Sequence, residues 1–178
     1  MKKLLKKTGL GILGLLVILL IIGFLLPTER KIEVTEQIDA PVQLVFEQVN
    51  DLRNWENWSP WKELDPLMEM SYSNPPVGKG AFYKWTSDNP RIRSGKLTLV
   101  EVVPQQKIVT AMEFEDGNKG TSEFRFSEEK RATEVTWSMQ LRFGRSPIGR
   151  YMGLFMAGGL RQMFDKGLTN MRVNMESH

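Results

Sequence analysis

A long uncharged apolar run lies near the N-terminus of this 178-residue chain, from Gly9 to Leu26. About 18 helical residues, each rising about 1.5 Å, span roughly the hydrocarbon thickness of a bilayer. A cleaved signal peptide usually has an apolar core of only about 7 to 15 residues and ends at a small-residue site, which is missing here. We therefore predict an uncleaved membrane anchor over residues 8–26, with residues 9–26 in the bilayer.

The lysines around this run predict its orientation. Lys2, Lys3, Lys6 and Lys7 precede it, whereas only Arg30 and Lys31 follow it closely. Because positive charge stays on the cytoplasmic side, residues 1–7 form a cytoplasmic basic flank. We expect a single-pass protein with a linker over residues 27–30 and a domain over residues 31–178 on the extracytoplasmic, periplasmic side.

Composition excludes several classes of chemistry for this domain. The chain has no cysteine and one histidine, His178, so it lacks the residues for a His/Cys zinc site, a cysteine nucleophile or a Ser-His-Asp triad. We expect no metal and no cofactor. The excess of 24 basic over 21 acidic residues comes from the N-terminal lysines. A nucleic-acid binder carries its basic patch on the folded domain, so we expect no nucleic-acid partner.

Hydrophobic periodicity predicts the elements of the domain. Residues 31–38 alternate as a strand, and Val42, Val45, Phe46 and Val49 then recur with helical spacing after Pro41. A second short helix is predicted around residues 53–58. Six further strands, separated by turn residues, are predicted over residues 68–72, 81–85, 93–103, 107–114, 121–126 and 133–143.

A long terminal helix is predicted after Pro147, where the helical period returns and Gly158-Gly159 is expected to kink or interrupt it. This element order predicts an α+β fold. Seven antiparallel strands form a bent sheet wrapped around the C-terminal helix, with two short helices after the first strand.

Several short motifs carry a resemblance to a known superfamily: residues 38–41, 51–55, 78–80, 100–104, 133–137 and 164–168. In this order and spacing they resemble the helix-grip superfamily, which includes START domains and polyketide cyclase/dehydrase-like proteins and is often called SRPBCC. The resemblance covers about residues 31–175. It implies the helix-grip fold but no single function, because the superfamily hosts lipid carriers, hormone receptors, cyclases and quinone-binding proteins.

Strand alternation identifies the side chains expected to face the terminal helix. The predicted ligand pocket consists of Met70, Tyr72, Tyr83, Trp85, Leu97, Leu99, Met112, Phe124, Trp137, Met139, Phe164, Leu168 and Met171. The many methionines suit an adaptable apolar surface, although ordinary core packing explains them as well. Trp55, Trp58 and Trp61 recur every three residues and form either a core plug or an aromatic rim at the cavity mouth.

Glu101 is the one carboxylate that alternation places on this apolar face, beside Leu97 and Leu99. Burial there would raise its pKa and make it a weak catalytic candidate. A β-bulge that turns Glu101 to solvent is the alternative. We name no catalytic set.

Three functions therefore remain open. We favour a membrane-anchored binding module that holds a hydrophobic small molecule, lipid- or quinone-like, in a helix-grip cavity. The first alternative is a cofactor-free cyclase/dehydratase-like enzyme. The second is a domain with a filled cavity whose surface binds a protein, and the sequence does not identify such a partner.

Overall fold

The structure is a computed structural model that describes residues 2–90 and 92–177. Met1, Arg91 and His178 lie outside the described residues. Helix α1, Lys2–Leu25, contains the apolar run. Among the described helices it is the one long and apolar enough to cross a membrane, over Lys7–Leu25. Length and composition alone make it a candidate anchor.

Short helices follow the first strand. Strand β1, Glu29–Ile38, leads into helix α2, Val42–Asn50, which begins after Pro41 and buries its apolar face. A single 3₁₀ turn, Leu52–Asn54, then precedes helix α3, Trp55–Trp58, and helix α4, Trp61–Leu64. The sequence predicted one short helix in this region, and α4 is an addition to it.

The remaining strands confirm the predicted antiparallel sheet. They are β2, Glu69–Tyr72; β3, Phe82–Thr86; β4, Gly95–Val103; β5, Lys107–Phe114; β6, Lys119–Glu129; and β7, Ala132–Arg142. The seven strands lie in the order β1-β7-β6-β5-β4-β3-β2. Helix α5, Pro147–Glu176, closes the chain. It is helical through Gly158 and Gly159, so the glycines do not interrupt it, because helical glycines lower stability without breaking the hydrogen-bond ladder. A kink at this position stays a prediction.

The chain forms two compact units. The smaller unit comprises Met1–Lys31 and Leu141–Gly159, and the larger comprises Ile32–Gln140 and Leu160–His178. The larger unit holds the main core, where residues of the sheet pack on the second half of α5 through Phe164, Leu168 and Met171, all buried. This is the helix-grip arrangement that the element order predicts.

Candidate functional site

The inner face of the sheet carries an aromatic cluster against α5. Trp137 stacks on Phe164 with ring centroids 3.8 Å apart and the rings nearly parallel, at 5°. Phe124 also stacks on Trp137, with ring centroids 4.7 Å apart. Trp55 and Trp58 make edge-to-face contacts with the Phe124 and Trp137 rings. The edge-to-face contacts have a geometry that aromatic pairs favour, whereas the Trp137–Phe164 pair is close to face-to-face. Of the two interpretations of the tryptophan repeat, Trp55 and Trp58 form the core plug.

Each indole of this cluster has a hydrogen-bond acceptor. The Nε1 atoms of Trp55 and Trp58 donate to the carbonyls of Val49 and Gln48 at the end of α2, over 3.0 and 2.9 Å. These bonds fix both ring planes. A ligand would have to break them to displace the rings, so the aromatic cluster is a rigid wall of the inner face.

Three polar groups within the same layer satisfy one another. The hydroxyls of Thr110 and Ser122 lie 2.7 Å apart, and Trp137 Nε1 donates to Ser122 Oγ over 3.1 Å. All three side chains are buried. Since buried polar groups are costly without partners, this network stabilises the sheet and is not free for a ligand.

A neighbouring part of the inner face, which meets the aromatic cluster where Tyr83 packs on Trp55, carries more flexible side chains. Antiparallel register aligns Tyr72, Tyr83, Leu97, Met112 and Gly120 in one row across five strands. A Cβ atom built at Gly120 would meet the methyl groups of Met139 and Met112 at 3.4 and 3.5 Å, so flexible thioether side chains cover this glycine. Together with Met70, we call this row the methionine end.

Solvent reaches the methionine end from one side. Met70, Tyr72 and Met112 are only half-buried although they lie on the inner face, whereas Tyr83 and Met139 are buried. The Tyr72 and Tyr83 rings pack 6.2 Å apart. The methionine end is therefore an apolar surface that is partly open and lined by adaptable side chains.

A charged pair lies beside it. Tyr72 Oη donates to Glu56 Oε1 over 2.5 Å, and Lys62 Nζ contacts Glu56 Oε2 at the same distance. Lys62 and then Tyr72 lower the pKa of the Glu56 carboxyl from its ordinary value. Burial, reinforced by the Glu56 charge, raises the pKa of the Tyr72 phenol. At neutral pH, Glu56 is thus ionised and Tyr72 is protonated.

Glu56 was missed by the sequence analysis. It lies between Trp55 and Trp58 on α3, and its distance from Tyr72 in sequence hides their contact. The one sequence signal for this site is the nearby lysine, Lys62, six residues after Glu56. In the structure its ammonium group contacts the Glu56 carboxylate.

Glu101 lies outside the inner face. The register between β4 and β5 shifts between Leu99 and Glu101, so a bulge interrupts the alternation that would have buried the carboxylate. Glu101 is exposed and forms an ion pair with Lys107 over 2.7 Å. Of the two alternatives, the structure has the bulge, and Glu101 is not positioned to act on a ligand at the inner face.

Most of the predicted pocket residues are closely packed in the interior of the larger unit. Ten of the predicted side chains are buried: Tyr83, Trp85, Leu97, Leu99, Phe124, Trp137, Met139, Phe164, Leu168 and Met171. Two open depressions, of about 490 and 540 Å³, are lined instead by polar residues around Arg172 and around Arg125. None of the predicted pocket residues lines either depression.

The described part of the chain holds no group of three or more His, Cys, Asp or Glu side chains arranged to bind a metal ion. Within the inner face, the polar groups that the structure offers are hydroxyls and indole nitrogens. Because the indole N–H groups of Trp55, Trp58 and Trp137 already have partners within the protein, the inner face suits mainly apolar contacts.

Comparison with known proteins gives a family and a fold. A family model described as polyketide cyclase / dehydrase and lipid transport matches residues 29–176. No curated protein matches significantly.

Solved structures share the fold at low identity. DynU16, a protein of the dynemicin biosynthetic locus, aligns with a TM-score of 0.58 and 16% identity over 82% of this chain. The chain spans about half of that protein, 47% of its length. SA2116 from Staphylococcus aureus, of unknown function, aligns with a TM-score of 0.60 and 13% identity, covering 83% of this chain and 96% of that one. The Aha1 protein from Colwellia psychrerythraea, solved as a dimer, aligns with a TM-score of 0.58 and 12% identity, covering 83% of this chain and 96% of that one.

Proposed function

This chain belongs to the polyketide cyclase/dehydrase and lipid transport family, and we propose that it is a membrane-anchored module that binds a hydrophobic small molecule, lipid- or quinone-like. The site is the inner face of the helix-grip domain, entered at the methionine end. The observation that carries the proposal is the half-buried state of Met70, Tyr72 and Met112 on a face where none of the described residues is a buried carboxylate.

Methionine side chains explain how a closely packed interior accepts a ligand. Met112 and Met139 meet over Gly120 and can change rotamer without loss of a hydrogen bond, unlike Trp55 and Trp58. The ligand takes the space of the thioethers and packs against the fixed rings of the aromatic cluster. Burial of about 200 Å² of apolar ligand surface is worth about 5 kcal/mol before ordering costs.

The charged pair serves as a polar contact at the mouth of the site. Ionised Glu56 accepts a hydrogen bond from a ligand hydroxyl, and the Tyr72 hydroxyl is the alternative partner. The pKa directions of both groups lead away from neutrality, whereas a proton-transfer catalyst needs a pKa near the working pH. These groups therefore favour binding over the cyclase/dehydratase-like alternative.

Membrane anchoring is the second part of the proposal. Residues 8–26 anchor the chain, residues 27–30 link the anchor to the domain of residues 31–178, and the basic flank keeps the N-terminus in the cytoplasm. The domain then lies on the periplasmic side, next to a source of apolar ligands in the bilayer.

The test combines native mass spectrometry of the full chain, extracted in mild detergent, with binding of a panel of phospholipids and quinones. The variant Met112→Trp fills the methionine end, and the matched control Val109→Trp places the same side chain on the outer face of β5. We expect bound lipophilic molecules with the parent chain and Val109→Trp, and loss of them with Met112→Trp. Overpacking itself costs about 1 to 3 kcal/mol, so circular dichroism must show that Met112→Trp is folded.

A filled-interior interaction domain remains the second candidate, because the aromatic cluster occupies much of the space between sheet and helix. The same experiment separates the two functions. Absence of any bound lipophilic molecule from the parent chain, together with no response to the panel, rejects the binding module and favours the interaction domain.

A further inference from the structure

The first half of α5, residues 147–159, carries an exposed apolar face. Ile148, Met152, Phe155 and Met156 occupy one side of the helix at spacings of four, three and one residues, and Phe155 is 82% exposed. Residues of the opposite side, Arg150 and Ala157, are buried within the smaller unit. Four large apolar side chains side by side need an explanation beyond ordinary surface composition.

This segment packs against the C-terminal end of α1. A Cβ atom at Gly23 would meet the Pro147 side chain at 2.7 Å, so glycine permits the close approach of the two helices. Arg150 Nη1 donates to the carbonyls of Phe24 and Leu26 over 2.5 and 2.9 Å, at the end of α1 where a cation is favoured.

Tyr151 fixes the depth of the segment relative to the anchor. Its hydroxyl donates to the Leu19 carbonyl over 2.8 Å. Leu19 lies six residues before the end of α1 at Leu25, which corresponds to about 9 Å along the helix axis. If α1 spans the bilayer, the Tyr151 hydroxyl lies about 9 Å below the outer end of α1, within the acyl region of the outer leaflet, where its hydrogen bond to a helix carbonyl avoids an unpaired polar group.

Charge along the chain agrees with contact to a membrane surface. No acidic residue occurs from Val135 to Phe164, and the segment is flanked by Arg145 and Arg161, both exposed. Within residues 147–159 the one charged side chain is Arg150, whose guanidinium is used at the end of α1. Arginines beside an apolar helical face are the pattern of interfacial helices on anionic lipids.

We infer that residues 147–159 form an interfacial helix seated in the leaflet that surrounds the C-terminal end of α1. Ile148, Met152, Phe155 and Met156 contact the upper acyl chains, and Arg145 contacts lipid phosphates. The occupant of this face is the lipid bilayer, because its partner helix α1 is itself the candidate span. The inference rests on the membrane anchor of the proposed function.

The absence of cysteine from the chain makes the test direct. Single variants Met152→Cys and Phe155→Cys are labelled with an environment-sensitive fluorophore in the full chain. The protein is reconstituted in phosphatidylcholine/phosphatidylglycerol vesicles with nitroxides at the upper or lower acyl positions. Val173→Cys is the matched control, since it places the label at an exposed apolar position of the same helix in the larger unit. Leu16→Cys reports on the anchor itself.

We expect blue-shifted emission at positions 152 and 155, quenched more by upper-chain than by lower-chain nitroxides, and no quenching at position 173. If the labels at positions 152 and 155 are unquenched, like the label at position 173, while the label at position 16 is quenched, the inference is overturned and the anchor stands. If the label at position 16 is also unquenched, the membrane anchor is rejected together with the inference. Labels that are shielded but unquenched, in a chain that cross-links to itself, identify the face as an interface between copies and also overturn the inference.

Discussion

Replacement of Ser122 by alanine tests whether the polar groups of the inner face are structural. Ser122 Oγ accepts from Trp137 Nε1 and pairs with the Thr110 hydroxyl. Ser122→Ala removes both contacts while changing the volume by little. The three residues are 3%, 2% and 0% exposed, so water does not replace the lost partner.

The size of the effect follows from the two groups left behind. A buried polar group without a partner costs about 1 to 3 kcal/mol, and here an indole N–H and a hydroxyl are both affected. The costs of two neighbouring groups are not fully additive, so the total lies toward the lower part of their combined range. We expect a loss of about 2 to 4 kcal/mol in the free energy of unfolding. For a chain of this size each kcal/mol lowers the Tm by about 2 to 4 °C.

Thermal unfolding of the full chain in detergent, followed by near-ultraviolet circular dichroism, measures this loss. Ser127→Ala is the matched control, because Ser127 is an exposed serine of the same strand and its replacement should change stability by less than about 0.5 kcal/mol. The double variant with Thr110→Val should lose less than the sum of the two single variants, since one of the unpaired groups is then gone. A Tm for Ser122→Ala equal to that of Ser127→Ala refutes the structural assignment.

Three further changes test other parts of the domain. The Glu56 contacts stabilise the fold at neutral pH and are lost as the pH falls through the lowered pKa of this carboxyl, so Glu56→Gln should flatten the pH–stability curve below about pH 4.5, and an unchanged acid limb contradicts this. Gly95→Ala should cost about 1 to 3 kcal/mol, because a Cβ there would meet the Trp85 ring at 2.6 Å, whereas Gly158→Ala, in open space on a helix, should add about 0.5 to 1 kcal/mol; equal denaturation midpoints would reject the steric argument. Thr133→Val should lower the free energy of unfolding by about 1 to 2 kcal/mol in chemical denaturation, since the buried Thr133 hydroxyl donates to a backbone carbonyl over 2.8 Å, and a silent variant contradicts that role.

The hydrophobic pattern along the sequence was sufficient to predict the buried face of individual strands and helices. The alternation of Val135, Trp137 and Met139 predicted the inner face of β7, and the spacing of Val45 and Val49 predicted the buried side of α2. Strand and helix periods are properties of the backbone, so they are readable without knowledge of the partner element.

The same hydrophobic pattern was insufficient to predict the polar residues at the candidate site. Glu101 continues the alternation of Leu97 and Leu99 in sequence, yet the bulge reverses its face. Likewise, the Glu56–Tyr72 contact joins two residues from different elements. The bulge in β4 depends on how this strand pairs with β5, and the Glu56–Tyr72 contact depends on how α3 packs against β2. Both involve residues from different elements, so a local sequence pattern does not reveal them.

The sequence by itself determined the apolar run, the order of the elements and the alternation of buried side chains along strands such as β7, because each follows from hydrophobic periodicity along a continuous segment. Only the tertiary structure decided how that interior is filled. Trp137 stacks on both Phe124 and Phe164, while Met112 and Met139 cover Gly120. Packing of this kind depends on the volumes and rotamers of side chains from elements far apart in the chain, and no local period encodes it.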